Sequence, residues 1–559
     1  MSSDPRFAAT SDAPPALSAG ASEAWGSKLG VILAVSGSAV GLGNFLRFPG
    51  QAAANGGSAF LIPYFCALIL LGIPICWAEW AMGRYGGQQG FHSAPAILGV
   101  VGGGAFWRYA GVIGVVIPLA MSFIYTFIAS WCLGYFAAYV GGSLGIDPAA
   151  AIADQTAAST EFYNAFTGRD GNGLFFGPLW LPTIGFWALT FAFNIFLILR
   201  GVSRGIERFV SLAMPVMAVC ALIVLIRVLT LGTPDPALPE QNVMAGLAYM
   251  WNPDFSALGD PAAWLAAAGQ VFFSISVGYG VIINYASFLG SKDDVALSGL
   301  TAVATNELFE IGFGGLITLT ASFVFLGLSG TIAAATAGTF GLGFQTLPVV
   351  FAQMGAFGPV VGAIWFFMLF LAAVTSSISM YQPAVTFLQE TLGADRRRAT
   401  ALVAALCFLG SLVVIYYTAG AVFWSTIDFW VGTFLILLLA MLEIICFGWV
   451  FGIDAGWREI HRGAAMRVPR VFRFIMKYVA PLYLLVVLVA FCITSLPASL
   501  RRISEQPLAQ GALALVLAVV VISALCLRHG ERRWRRLGLD LDGKRGVGDA
   551  AAGEEGGAR

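Results

Sequence analysis

The sequence predicts an all-α membrane protein with about twelve transmembrane helices, and three observations carry that expectation. The 559 residues are 58% hydrophobic and only 11% charged, with a mean hydropathy of +0.82. Soluble domains are about a quarter charged. The apolar residues arrive in stretches long enough to cross a hydrocarbon core, which takes roughly 20 residues per helix. The basic residues, finally, gather on one side of those stretches. A water-soluble fold is excluded.

The expected spans are 28–53, 58–84, 106–141, 181–200, 208–231, 260–288, 294–326, 357–390, 398–418, 428–452, 471–496 and 509–528. On one side of them lie Lys28, Arg84, Arg108, Arg200, Arg204, Arg208, Lys292, Arg396, Arg397, Arg398 and the basic residues between Arg458 and Lys477. The run from Arg528 to Arg536 joins them, while the opposite side holds little beyond Arg169, Arg501 and Arg502. Positive charge stays on the cytoplasmic face. Both termini are therefore expected in the cytoplasm, with the chain threaded through the cell (inner) membrane and lipid as its solvent.

Residues 1–27 are rich in Ala, Ser and Pro and lack an apolar core, so they read as a disordered cytoplasmic tail and not a secretory signal. Residues 529–559 read as a second cytoplasmic tail. The eight Cys lie in or beside apolar spans, which predicts free thiols and no disulfide framework. The three His lack metal-ligand spacing, so metal catalysis has no support. The zero net charge gives no case for nucleic-acid binding. Segments 142–180 and 327–356 read as long outer loops, lengths at which loops often act as lids.

An internal echo organises the spans. Span one carries Val40-Gly41-Leu42-Gly43-Asn44 at mid-membrane, and span six, five helices later, carries Val277-Gly278-Tyr279-Gly280-Val281. Paired Gly interruptions in two halves point to inverted repeats with a midplane site. A helix-packing face gives the bland alternative, since Gly37 and Gly41 form a small-xxx-small pattern. The echo assigns 28–231 to a first repeat, 260–452 to a second, and 471–528 to helices 11 and 12.

Backbone left unpaired in hydrocarbon costs several kcal/mol, so a break survives only where protein, ion or ligand satisfies it. Half-helix N-termini favour a carboxylate, and freed carbonyls favour a cation. Around the first break, Ser38, Asn44 and the carbonyls of Gly37, Ala39 and Val40 are candidate ligands. Around the second, Ser274 and Ser276 flank Phe273 and Tyr279. In span eight Ala372, Thr375, Ser376, Ser379 and Met380 share one helical face, although such hydroxyls also bond back to their own helix. Intramembrane charges are functional hypotheses by default. Arg47 and Asp428 stand near the outer ends of their spans and could pair as a gate. Glu79, Glu307, Glu310 and Glu443 lie in or near spans, and Glu79 is the candidate for holding unwound backbone.

Several runs resemble the neurotransmitter:sodium symporters. They include Trp25, Gly41-Leu42-Gly43-Asn44-Phe45-Leu46-Arg47-Phe48-Pro49, Glu79-Trp80-Ala81-Met82-Gly83-Arg84-Tyr85-Gly86-Gly87 and Gly205-Ile206-Glu207-Arg208-Phe209. Gly269-Gln270-Val271-Phe272-Phe273-Ser274, Leu297-Ser298-Gly299-Leu300-Thr301, Thr375-Ser376-Ser377 and Asp428-Phe429-Trp430 continue the match, over roughly residues 25–530. The chain looks most like the bacterial amino-acid transporters of the LeuT type. That likeness implies five-plus-five inverted repeats with broken helices 1 and 6.

The resemblance implies a sodium-coupled symporter with two sodium sites. The first would use Ala39, Asn44, Ser274 and Asn306 together with the substrate carboxylate. The second would use Gly37, Val40, Ala372, Thr375 and Ser376. The substrate carboxylate would meet the amides of Leu42 and Gly43 and the Tyr125 hydroxyl. Its amine would meet Ala39, Phe273 and Ser276. The remaining wall would be Ser38, Met121, Phe123, Ser274, Tyr279, Ser376 and Met380. No acid or base lines that wall, so a charged side chain would be buried unpaired. A neutral, apolar or aromatic amino acid is expected. Glu310, near Tyr64, Gln270 and Ser274, stands where chloride-dependent relatives have a neutral residue, which implies chloride-independent transport. Arg47 with Asp428 would gate the outer side, and Trp25 with Glu390 the inner.

Three departures bear on this. Ser38 replaces an Asn common in bacterial relatives, and Ala129 replaces an acid. Ser22 stands where the family has an inner-gate Arg, with Phe288 replacing a Tyr nearby, so Lys28 or Arg6 would have to substitute. A transporter of an osmolyte such as betaine or taurine, and a transport-inactive amino-acid sensor, use the same scaffold. An enzyme is not expected, since no nucleophile–base pair is evident. The chain is expected to act as a monomer or homodimer.

Overall fold

The structure, a computed structural model, describes residues 25–174, 179–252, 255–336 and 338–543. Ser22, Arg6 and most of both expected tails lie outside the described residues. Among those described, ten helices are long and apolar enough to cross a membrane. The pair Lys28–Ala39 and Gly43–Ala54, meeting at 46°, brings the total to eleven. The sixth expected span is present as Pro261–Ile275 and Val281–Ala286, each too short to cross alone. By length and composition the number is thus eleven, against the expected twelve or so, because the sixth span is divided.

At the centre, the helices Ile113–Gly141 and Gly358–Leu392 pack along one another, both buried over most of their length. Aromatic contacts seal the pair: Phe366 meets Tyr135 at 4.8 Å and Tyr139 at 5.6 Å between ring centroids. Both broken segments lie against this pair, and their interruptions face each other near its middle.

The segments read as outer loops are partly helical. Ile152–Thr167 lies in the first. In the second, the helix Leu316–Thr336 continues past the expected end at 326 through a kink at Gly327, and Leu347–Ala352 follows. The two segments are joined by Ser159 donating to the Gln345 carbonyl at 2.7 Å and by Gln353 donating to Gln155 at 2.7 Å. Gly and small polar residues gave these stretches a loop-like composition, and packing against aromatic neighbours overrides that weak preference.

At the other end, buried ion pairs tie helix ends together. Arg84 bonds Glu459 at 2.8 Å with both side chains fully buried, and also donates to the carbonyls of Asp293, Glu459 and Arg462. The last helix runs Pro507–Arg536, past the expected 528, and its buried Trp534 donates to the Glu390 carbonyl at 2.9 Å. Glu531 and Asp542 both pair with Arg108.

Removing one partner of a buried pair leaves the other charge uncompensated, at a cost of about 3–5 kcal/mol. Glu459→Ala should therefore lower the melting temperature markedly, read by thermal denaturation in detergent. Truncating the exposed Arg398, 3.6 Å from Asp395, should leave it unchanged.

Candidate functional site

The first helix ends at Ala39, and Val40 takes an extended conformation (φ −72°, ψ 101°). Helical structure resumes at Gly43. The second break follows Ile275. Ser276 adopts a left-handed conformation (φ 58°), one of two described non-glycine residues to do so. Such backbone is costly and concentrates at functional sites. At Gly280 (φ 82°) a Cβ would stand 2.0 Å from the Gly114 carbonyl oxygen, so only glycine fits.

Between the breaks lies a cavity of about 30 Å³, room for roughly two waters. Its wall comprises Ser38, Ala39, Gly43, Met121, Tyr125, Phe273, Ser274, Ser276, Tyr279, Ser376 and Met380 from the expected substrate set and Asn44 from the expected first sodium set, joined by Gly41 and Val281. No charged side chain is among them. Leu42 contributes through its amide, which donates to the Tyr125 hydroxyl at 3.3 Å. Phe123 does not line the cavity, and that expectation is corrected. Met121 and Tyr125, four apart, share one helical face, whereas Phe123 between them points away. It packs against Gly410.

Freed backbone is met by side chains. Ser376 Oγ donates toward the Ser38 and Val40 carbonyls at 3.2 and 3.4 Å, and Ser276 Oγ lies 3.5 Å from the Ser38 oxygen. The Gly41 amide donates to Asn44 Oδ1 at 2.8 Å. The Gly278 amide donates to Glu79 Oε1 at 2.5 Å, so Glu79 does hold unwound backbone.

Asn44, Ser274 and Asn306 form one bonded cluster: Asn44 Nδ2 donates to Asn306 Oδ1, and Asn306 Nδ2 to Ser274 Oγ, both at 2.8 Å. Ala39 lines the adjoining cavity. Glu310 accepts from Gln270 at 2.7 Å, Asn306 at 3.0 Å and Asn44 at 3.3 Å. Tyr64 donates to Glu307 at 3.0 Å and also stands within hydrogen-bonding reach of Glu310, the neighbour it was expected to lie near. In the second set, Thr375 Oγ1 donates to the Ala372 carbonyl at 2.9 Å, and Gly37 lies close against Thr375. Both clusters offer neutral carbonyl, amide and hydroxyl oxygens, a donor set that suits a hard monovalent cation. Among the described residues no group of three or more His, Cys, Asp or Glu could hold a metal.

The expected gate residues are differently engaged. Arg47 forms no ion pair with Asp428; its guanidinium lies over the Phe273 ring, 4.2 Å from the centroid. Phe273 lines both this cavity and a second of about 170 Å³ that Arg47, Gln51, Leu265 and Thr433 help line. Trp25 and Glu390 do not meet. Trp25 donates to the Tyr285 carbonyl at 3.0 Å and its ring meets Tyr285 edge-on. Glu390 instead caps the turn at 92–93, accepting from the His92 amide and from the Ser93 amide and hydroxyl. His92 stacks on Phe288, and burial holds its imidazole down to about 4. Lys28 is exposed. The anchor that went unnoticed is Glu207, whose oxygens accept from the Gly26 amide at 2.7 Å and the Ser27 hydroxyl at 2.9 Å. It sits in the Gly205–Phe209 motif, which was the available signal.

A many-span helical bundle with two broken helices around a neutral, oxygen-lined cavity is the architecture of a membrane transporter. The chain matches the model of the sodium:neurotransmitter symporter family over residues 22–148 and 146–534, and it belongs to that family. An uncharacterized sodium-dependent transporter of Methanocaldococcus jannaschii is 29% identical over 89% of this chain and 96% of its own length. The sodium-dependent nutrient amino acid transporter 1 of Drosophila melanogaster is 27% identical over 85% of this chain and 78% of that protein. The crystal structure of MhsT in complex with L-phenylalanine is 29% identical, covers 84% of this chain and 99% of MhsT, and superposes with a TM-score of 0.69. The protein is a multi-pass membrane protein of a sodium-coupled transporter family.

A Cβ at Gly41 would stand 2.7 Å from both Ser376 Oγ and Tyr125 Oη. Gly41→Ala should therefore weaken solute binding at least about tenfold, as for other overpacked sites, without loss of folding. Equilibrium binding to the purified variant measures it.

Proposed function

We propose that this protein imports a neutral, apolar or aromatic amino acid, coupled to two sodium ions, by alternating access across the cell (inner) membrane. The observation that carries the reading is the cavity between the breaks. It offers amides and a tyrosine hydroxyl for a carboxylate, carbonyls for an amine, and an uncharged wall for the side chain. A charged side chain there would be desolvated without a partner. Met121 and Met380 are flexible enough to reshape the wall, which favours several substrates of different size. That MhsT was crystallised with L-phenylalanine supports an aromatic substrate.

One sodium would take Ala39, Asn44, Ser274 and Asn306 with the substrate carboxylate. The other would take Gly37, Val40, Ala372, Thr375 and Ser376. Sharing the carboxylate makes substrate and sodium bind cooperatively. Both termini would face the cytoplasm, and the repeats would be 28–231 and 260–452. Arg47 and Phe273, with Asp428 nearby, would close the outer side. Trp25 on Tyr285, and Glu390 on the 92–93 turn, would close the inner.

Uptake by proteoliposomes under an inward sodium gradient, competed by a panel of amino acids, tests this reading. Neutral apolar or aromatic competitors should win. Preference for Lys or Glu would sink it, betaine or taurine would place the protein with osmolyte transporters, and binding without uptake would make it a sensor.

Glu310, held by three amide donors, supplies a fixed negative charge beside the first sodium set. Transport should not need chloride. Glu310→Ser should make uptake chloride-dependent, checked by replacing chloride with gluconate; an unchanged rate without chloride would contradict this role.

A further inference from the structure

Away from the cavity, two glutamates meet inside the bundle. Glu79 is carried by Ile73–Gln88 and Glu443 by Ile436–Ile445, and both are fully buried. Their side chains come within hydrogen-bonding reach of each other. Glu79 Oε1 accepts the Gly278 amide. Glu79 Oε2 and both Glu443 oxygens receive no N–H or O–H from any other described group. Among the described residues no basic side chain acts on either glutamate. The other titratable neighbours are the thiols of Cys76, on the helix of Glu79, and Cys446, next to the helix of Glu443.

Two ionised carboxylates offer only acceptors, so they cannot bond each other, and in a low-dielectric interior they repel. One shared proton resolves both problems. It turns one oxygen into a donor and leaves the pair with a single negative charge. Glu79 already accepts an amide, which favours its charged form, whereas Glu443 has no partner but Glu79.

We infer that Glu443 is a buried proton site, whose carboxylic acid donates to Glu79 and so positions the carboxylate that holds the Gly278 amide in the sixth-span break. Binding takes up one proton. Its release to solvent leaves two facing negative charges, which push Glu79 off Gly278 and loosen the segment that carries Ser276 and Tyr279. Glu443 is thus a positioning residue, acting on the cavity through Glu79 and Gly278. The effect on transport rests on the function proposed above; the presence of the proton does not.

Infrared spectroscopy of the purified full-length protein at neutral pH, in light and heavy water, tests the proton directly. A protonated-carboxyl C=O band should be present and should be diminished in Glu443→Gln. Uptake measurements test the consequence. Glu443→Gln, which keeps a donor toward Glu79, should retain most of the uptake and lose the wild-type decline at alkaline pH. Glu443→Leu should fall by about tenfold or more. An identical carboxyl band in wild type and Glu443→Gln would overturn the proton site, even if uptake follows the proposed function. A Gln variant as impaired as the Leu variant would overturn the positioning role. If the Leu variant does not fold, the band and the pH profile of the Gln variant decide.

Discussion

Inside a membrane, a peptide amide or carbonyl without a partner is among the most costly groups a protein can carry. This chain leaves the helical ladder twice, at residues 40–42 and 276–280, and much of the site follows from how those groups are satisfied. Glu79 takes the Gly278 amide, Asn44 the Gly41 amide, Tyr125 the Leu42 amide, and Ser376 lies against the Ser38 and Val40 carbonyls. Each partner comes from the break itself or from a rigid helix packed beside it. The breaks are therefore built features, held open in a fixed geometry.

That geometry explains why the cavity is polar along its backbone and apolar along its wall. Carbonyls and amides bring partial charges without titratable groups, and the wall itself carries no charged side chain. Formal charge is kept one layer back, on Glu310 behind Asn306 and on Glu79 behind Gly278. Placing it there lets it bias the site without competing for the solute. The ends nearest the start of the first helix are treated similarly, with Glu207 gripping that start and Glu390 capping the turn on which the sixth helix rests.

Much of this was legible in the sequence, because it rests on local signals. Paired Gly motifs marked both breaks, and helical spacing put Thr375, Ser376 and Met380 on one face, whereas Met121 and Tyr125 came from the resemblance. The same rule, applied to Phe123, would have removed it from the wall; its placement came from resemblance alone. What stayed hidden depends on contacts between distant residues. Nothing local says that Arg84 will find Glu459, that Trp534 will reach Glu390, or that Tyr64 will donate to Glu307. The helices Ile152–Thr167 and Leu347–Ala352 were obscured because they lie in segments whose Gly and small polar residues read as loop.

The central claim is that the two breaks form one site in which a solute carboxylate and a sodium ion are held together. Isothermal titration of the purified protein tests it most directly, with L-phenylalanine titrated across a range of sodium concentrations and sodium titrated with and without L-phenylalanine. The account requires each to raise the affinity of the other by the same factor, as linkage demands. Amino-acid binding that is indifferent to sodium, or sodium binding that is indifferent to the amino acid, would contradict it.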